Sequence, residues 1–420
     1  MSRFVSHGGR AEVSLAEELI TVEEHLAAIL DLLPVPEPIE LRLADALGLV
    51  LAHEAVSRVD VPSFANSAMD GYAVVAGDLA SATDAAPVQL PVIGEVAAGA
   101  TTLPSVTPGR TVRIMTGAPL PPGADAVVPV ETTSGGQAQV AFHRPVDPGQ
   151  HVRAPGEDLR PGQPLVAAGR RLAPADIALL AAAGVSRVTC VPPPRVVALS
   201  TGDELVPASE EPGPGRIRDA NGPMLAAMIR AAGGVPFSAG IVRDDRKALM
   251  YAFDTNLGHA DLFICTGGAS AGTKDLLPDV IGALGEVATA KVAMKPGMPQ
   301  IRGRIAGCPV IGLPGNPVSA FVSFEVFARP AIRALQGRRD VQRPTVVARA
   351  SQRLTAPPNK RGFTRVRLSR DERGWVAAPT GAQGSHVISS IARADGLAVV
   401  PEDVTEIPPG GEVQVQLLVE

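Results

Sequence analysis

The chain has 420 residues, 45% of them hydrophobic but only 3% aromatic, with a formal net charge of −5. That length exceeds what one core sustains and predicts two to four domains packed mostly with aliphatic side chains. The acidic balance excludes non-specific nucleic-acid binding, which needs a basic face. It leaves room for an anion in a local basic pocket.

No apolar stretch reaches membrane-spanning length, which predicts no membrane contact. Cys190, Cys265 and Cys308 are far apart with no C-x-x-C pair, so neither a disulfide framework nor a zinc knuckle is indicated. Together these features predict a soluble protein of the reducing cytoplasm.

Residues 14–33 carry apolar positions at three- and four-residue steps, and Thr21 with Glu24 has capping-box spacing. A second short helix is expected over residues 41–47. Between Val61 and Gly149 the texture changes to short apolar runs broken by Gly and Pro, which predicts a β-rich domain. Residues 150–190, with a helix near Pro174 to Ala183, rejoin the first segment and make the β-rich part an insertion.

Pro192, Pro193 and Pro194 form a stiff boundary. Strands and helices alternate beyond it: a strand over 195–200, a helix capped by Asn221 and stopped by Gly233, a strand over 235–242, a helix over 246–257, and a strand over 261–265. A helix near 277–284, strands near 287–294 and 310–313, and a long final helix follow. This is the pattern of a parallel, doubly wound α/β sheet. After residue 342 the chain alternates again with period two, as a small all-β domain does. The expected boundaries are 1–60 with 150–190, then 61–149, 191–340 and 341–420.

Three strands of the α/β part end in small-residue turns. They are Ser200-Thr201-Gly202-Asp203-Glu204, Thr266-Gly267-Gly268-Ala269-Ser270-Ala271-Gly272, and Gly312-Leu313-Pro314-Gly315-Asn316-Pro317-Val318-Ser319. Parallel strands end together, so all three open on one sheet edge, where ligands of such folds bind. Their N–H groups and hydroxyls suit an oxyanion. Gly267 and Gly272 have P-loop spacing, but Thr273-Lys274 follows, which places the lysine one residue too late.

Glu204, Asp244 and Asp275 each follow a strand end and offer oxygens that a hard cation such as Mg²⁺ prefers. Asp245 would cap the next helix and leave Asp244 free. Lys291 and Lys295, four apart, share a face if one strand carries both. Asn66 to Val74, Met115 to Pro119 and Gly156-Glu157-Asp158 form a second polar, glycine-rich rim, with Asp70, Thr116 and Asp158 as its candidate polar groups.

In order along the chain, the strings N-S-A-M-D-G-Y-A-V, T-G-A-P, G-E-D, S-T-G-D-E-L, R-D-D, T-G-G-A-S-A-G, M-K-P-G, G-L-P-G-N-P-V-S and G-S-H resemble the MoeA family, the molybdopterin molybdenumtransferases. The resemblance implies a multidomain α/β plus β protein. Its parts are an elongated helical connecting domain, a β-rich insertion, an α/β domain similar to molybdopterin adenylyltransferases, and a C-terminal β-barrel. It implies a homodimer that inserts molybdate into adenylylated molybdopterin with Mg²⁺ and releases AMP. Transient contacts with the adenylyltransferase and with apo-molybdoenzymes would follow.

The matching functional positions are Asp70, Thr116, Asp158, Glu204, Asp244, Asp275, Lys291, Lys295, Pro314, Pro317, Ser319, Arg365 and Ser385. By the resemblance, Glu204, Asp244 and Asp275 handle the cation, and the turn of Thr266, Gly267, Gly268 and Ser270 holds the pterin nucleotide. Lys295, Ser319, Arg365 and Ser385 surround molybdate, and the octet turn is one wall of that pocket, its backbone fixed by Pro314 and Pro317. Asp70 and Asp158 come from the partner subunit.

One position departs. The family commonly reads K-P-G-K-P where this chain has Lys295-Pro296-Gly297-Met298-Pro299. Arg302 or another cation replaces the lost charge, or molybdate binds more weakly, or the oxyanion differs. A scaffold role, a paralogue that binds pterin without inserting metal, and tungstate in place of molybdate are the alternative functions.

Overall fold

The computed structural model describes residues 19–268 and 276–418. Two compact units emerge, one of Glu40–Cys190 and one of Met1–Ile39 with Val191–Glu420. Ser270 and Asp275 lie outside the described residues.

Helix α1 (Val22–Leu30) starts at its capping box. Thr21 Oγ1 accepts from the Glu24 N–H at 3.1 Å, and Glu24 Oε2 accepts from the Thr21 N–H at 2.7 Å. This reciprocal cap fixes the first turn at residue 22, inside the longer stretch with helical periodicity.

In the Glu40–Cys190 unit, a five-stranded sheet holds β1 (Gly71–Val74), β2 (Val88–Val96), β3 (Thr111–Ile114), β4 (Ala126–Pro129) and β5 (Gln139–Phe142). Its order is β4-β1-β3-β2-β5. Successive side chains alternate between faces. Tyr72 and Val74 enter one core with Leu90 and Phe142, while Ala73 enters another with Val112 and Ile114.

The segments flanking this sheet in sequence pair with each other. Asn66–Ser67 pairs with Val152–Arg153, Ala55–Val56 with Pro164–Val166, and Arg187–Val191 lies between Ile39–Arg42 and Val50–Leu51. Helix α2 (Pro174–Ala182) covers this core through Leu180. The helix expected over residues 41–47 does not form. Ile39–Arg42 alternates and finds a strand partner, and only one 3₁₀ turn, Leu43–Asp45, follows. Long-range pairing overrides a weak local helix pattern here.

The other unit holds a six-stranded sheet of β6 (Arg195–Thr201), β7 (Val235–Val242), β8 (Leu262–Thr266), β9 (Gly285–Lys291), β10 (Pro299–Ile305) and β11 (Cys308–Leu313), in the order β7-β6-β8-β11-β10-β9. Four strands are parallel. The expected all-parallel sheet is corrected at the other end, where β9, β10 and β11 form an antiparallel meander. Ala306 (φ 48°) and Gly307 (φ 86°) make the two-residue turn between β10 and β11, the primed geometry that suits strand twist.

Helices cover both faces: α3 (Asn221–Ala232), α4 (Arg246–Asn256), α5 (Leu276–Leu284), α6 (Pro317–Ser323) and α7 (Arg329–Leu335). Val196, Ala198 and Ile311 face a core with α1, Leu225 and Phe327. Val197, Leu199 and Val310 face another with Phe253 and Ile281. The sheet is doubly wound.

Strands β12 (Thr345–Ala350), β13 (Arg361–Asp371), β14 (Gly374–Pro379), β15 (Gly396–Val400) and β16 (Glu412–Leu417) close into a ring, β13-β14-β12-β16-β15 and back to β13. Closure removes the exposed edges of a small sheet. Phe363 and Leu397 leave the barrel interior and enter the first α/β core, which attaches the barrel firmly to the α/β layer.

Candidate functional site

The ends of β6, β8 and β11 meet at one edge of the sheet. Gly267, just after β8, has a φ of +92°, and a Cβ there would meet the Thr201 carbonyl oxygen at 2.3 Å. Only glycine lets the β6 and β8 turns approach this closely. The octet turn comes equally near, since a Cβ on Gly315 would lie 3.5 Å from Gly267 Cα. The three turns wall a cavity of about 480 Å³, with Thr201, Glu204, Thr266, Gly267, Pro314 to Pro317 and Ser319 on its surface.

Asn221 belongs to this wall as well. The sequence makes it the cap of α3, but it is the first helical residue, and Asp219 Oδ1 accepts from the Gly222 N–H at 3.0 Å in the capping role. Asn221 instead donates Nδ2 to the Gly315 carbonyl at 2.7 Å. Its Oδ1 is buried with no partner among the described residues, an acceptor left open beside the cavity. Behind the wall, Ser200 Oγ donates to Asp219 Oδ1 at 3.3 Å, and Thr266 Oγ1 approaches Ser200 Oγ at 3.5 Å. Sequence reading missed Asn221 and Asp219 as parts of the site. No local pattern marks them.

A second cavity, of about 640 Å³, adjoins the first and shares Gly297 and Ser319 with it. Lys295, Arg365 and Ser385 line it. Arg365 is only 1% exposed. Its guanidinium donates to neutral acceptors: Ser390 Oγ at 3.2 Å, the Gly384 carbonyl at 3.3 Å and the Phe363 carbonyl at 3.4 Å. Burial pushes its pKa down to about 10, so it remains a cation at neutral pH. No carboxylate among the described residues pairs with it. A buried, unpaired guanidinium facing a cavity is a strong attractor for an anion. The Ser385 carbonyl accepts from the Val318 N–H at 3.2 Å and ties the barrel loop to the start of α6.

Asp203, Glu204 and Asp244 line a third cleft beside these turns. Thr201 Oγ1 donates to Asp244 Oδ1 at 2.5 Å. Asp245 accepts from the Ala248 N–H at 2.9 Å as the cap of α4, which leaves the Asp244 carboxylate facing the cleft. The donors are hard oxygens of the kind Mg²⁺ prefers. Among the described residues no three such groups converge at metal-binding distance.

In the Glu40–Cys190 unit, Thr116 donates its N–H and its hydroxyl to Asp70 Oδ1, at 2.6 and 2.8 Å. Those bonds hold the Asp70 carboxyl below its usual pKa. Asp70 is therefore a clamp between two loops 46 residues apart rather than a turn former within its own string. Asp158 is exposed, and its N–H donates to the Val61 carbonyl at 2.9 Å.

The sequence matches the MoeA N-terminal region (domain I and II) over residues 20–184, a "Probable molybdopterin binding domain" over 197–334 and the MoeA C-terminal region (domain IV) over 347–418. It is 41% identical over 401 residues to molybdopterin molybdenumtransferase 2 of Mycobacterium tuberculosis, covering 94% of this chain and 98% of that one. The chain belongs to the MoeA family. The Haemophilus influenzae molybdopterin molybdenumtransferase is 33% identical, over 95% of this chain and 98% of its own length. The molybdopterin biosynthesis MoeA protein of Pyrococcus horikosii superposes with a TM-score of 0.83 at 35% identity, over 95% of this chain and 99% of that one.

The basic segment of this MoeA chain differs from expectation. Lys291 ends β9, while Met294–Lys295 pairs with Arg361 and Gly362 of β13. The two lysines therefore do not share one strand face, and only Lys295 lines the second cavity. Arg302 does not replace the charge missing at Met298. Its Nη1 lies 3.1 Å from His25 Nδ1 of α1, and Arg304 donates to the Leu32 carbonyl at 2.7 Å. Lys360 places its Nζ 3.4 Å from Met298 Sδ.

Proposed function

We propose that this chain is a molybdenum-inserting transferase of molybdenum cofactor biosynthesis. It takes adenylylated molybdopterin and molybdate, inserts the metal at the dithiolene and releases AMP. The observation that carries this reading is the pair of adjoining cavities with a common wall at Gly297 and Ser319. One is rimmed by backbone turns and hydroxyls, as a pterin nucleotide requires. The other holds a buried guanidinium with no counter-charge among the described residues, as a tetrahedral dianion requires. The relatives named molybdopterin molybdenumtransferase support the same reaction.

In this reading Thr266, Gly267, Gly268, Ser270, Pro314, Gly315, Asn316 and Pro317 seat the nucleotide, and the open Asn221 Oδ1 accepts a bond from it. Lys295, Ser319, Arg365 and Ser385 receive molybdate, and Lys291 adds positive potential nearby. Glu204, Asp244 and Asp275 would hold a divalent cation, Mg²⁺ by the hardness of the donors, which supplies charge neutralisation at the phosphates when bound. Asp70, Thr116 and Asp158 would act from the second subunit of a cytoplasmic homodimer. Catalysis is mainly orientation and electrostatic stabilisation, since both reactants arrive with their reactive groups formed.

The test is release of AMP from adenylylated molybdopterin by the purified protein with Mg²⁺, with and without molybdate. Release that depends on molybdate is expected. No release in either case sinks the enzyme reading and favours a pterin-binding paralogue.

A further inference from the structure

Gly297 and Ser319 are common to both cavities, so their separation sets how nucleotide and oxyanion meet. They belong to different elements. Gly297 sits in the loop between Lys295 and β10, and Ser319 lies on α6. One buried side chain joins the two elements. Gln300, 1% exposed, donates Nε2 to the Gly297 carbonyl and to Ser323 Oγ, both at 2.6 Å. Ser323 is fully buried one helical turn after Ser319, on the same face of α6.

The direction of the Gln300 amide is fixed, because the Gly297 carbonyl can only accept. That orientation uses both amide hydrogens and leaves Gln300 Oε1 buried with no partner among the described residues, a cost that a purely space-filling residue would not carry. The fit is also close. Gly297 has a φ of +102°, and a Cβ there would meet Ser323 Oγ at 2.6 Å. On the far side of the loop, the Val292 N–H donates to the Met298 carbonyl at 2.7 Å. The loop is thus held from two directions, with Gln300 its tie to the helix.

We propose that Gln300 is a positioning residue for the oxyanion: through Gly297 and Ser323 it sets the distance between Lys295 and Ser319 across the second cavity. It touches no substrate itself. The inference rests on the molybdate-insertion reading above, and it predicts a selective defect. Gln300 reaches the nucleotide cavity through Gly297 alone, at the shared wall, and among the described residues it hydrogen-bonds to none of the β6, β8 and octet turns that form most of that cavity.

The experiment compares wild type, Gln300→Met and Ser323→Ala as full-length proteins. The KM for molybdate comes from AMP release, nucleotide affinity from equilibrium binding of adenylylated molybdopterin, and folding from thermal melting. Methionine matches glutamine in volume but cannot donate. We expect Gln300→Met to raise the KM for molybdate about ten- to a hundred-fold, as loss of supporting hydrogen bonds does at other ion sites. Nucleotide affinity stays within about twofold. Ser323→Ala, which removes one of the two bonds, should shift the same constant in the same direction by less.

An unchanged molybdate KM in both variants overturns the proposal. So does a parallel loss of nucleotide and molybdate binding with a lowered melting temperature. Wild type without molybdate-dependent release would instead overturn the underlying function, which keeps the two failures distinct.

Discussion

Asn221 donates its side-chain amide to the Gly315 carbonyl at 2.7 Å, bridging 94 residues of sequence to join the first turn of α3 to the octet turn. Its Oδ1 has no partner among the described residues. The same residue therefore braces the cavity wall and offers an acceptor to whatever enters. Replacement by Ala should cost about 1–2 kcal/mol of stability through the unpaired carbonyl. Asn221→Asp should do worse, because a carboxylate oxygen would then face the Gly315 oxygen. Chemical denaturation of the two variants checks the order, and equal stability would contradict it.

Arg365 gives the opposite balance between stability and function. A buried guanidinium without a counter-charge is costly to the fold. Arg365→Met relieves that cost but strips Ser390 Oγ and the Gly384 and Phe363 carbonyls of their donor. The two effects on stability oppose each other, so the melting temperature should move little, while molybdate binding weakens by about 10- to 150-fold, the value of one charge-assisted hydrogen bond. A variant that loses stability and keeps its molybdate affinity would reverse this assignment.

His25 predicts an acid-sensitive fold. Burial, and then the nearby Arg302, lower its pKa to about 3. Arg302 can only donate, so Nδ1 is the acceptor and the neutral ring carries its proton on Nε2. Between the unfolded pKa of about 6.5 and the folded value the unfolded chain binds the extra proton, so stability falls as pH falls across that window. The loss should approach roughly 4 kcal/mol near pH 3. His25→Gln keeps an acceptor for Arg302 but cannot titrate, and its denaturation midpoint should decline less steeply from pH 6.5 downward. Parallel declines would contradict the assignment.

The Asp70 carboxyl titrates below its usual range because two donors of Thr116 favour the ionised form. Its contribution is complete above the ordinary carboxylate pKa and is lost as pH falls through the lowered folded value. Thr116→Val removes the hydroxyl and keeps the N–H. The Asp70 pKa, followed by carboxyl NMR, should then move part of the way back up. No movement would mean that the hydroxyl bond contributes nothing.

Much of this fold was legible locally. The Thr21 and Glu24 cap, the helix stop at Gly233 and the three small-residue turns after parallel strands are decided by neighbours in sequence. Strand β10 was not legible, because Pro299 and Gly303 break its pattern and antiparallel partners on both sides make it a strand. Residues 39–42 likewise became a strand through Arg187–Val191.

The site followed the same division. Thr201, Gly267, Pro314 and Ser319 sit in recognisable turns. Nothing adjacent to Arg365 marks it as buried and unpaired, since that depends on barrel closure. Asn221 obeyed the local rule for a helix cap on paper and a tertiary hydrogen bond in the fold. Lys291 and Lys295 fell on separate strands because the chain leaves the sheet at Val292, which bridges to Ile20.

The proposed function requires the cavity beside Gly297 and Ser319 to receive molybdate at Arg365 and Lys295. Crystals soaked in molybdate and measured at the molybdenum absorption edge test it most directly. An anomalous peak within hydrogen-bond distance of the Arg365 guanidinium, and absent in Arg365→Met, is the predicted result. A peak at another site, or none in this cavity at saturating molybdate, would contradict it.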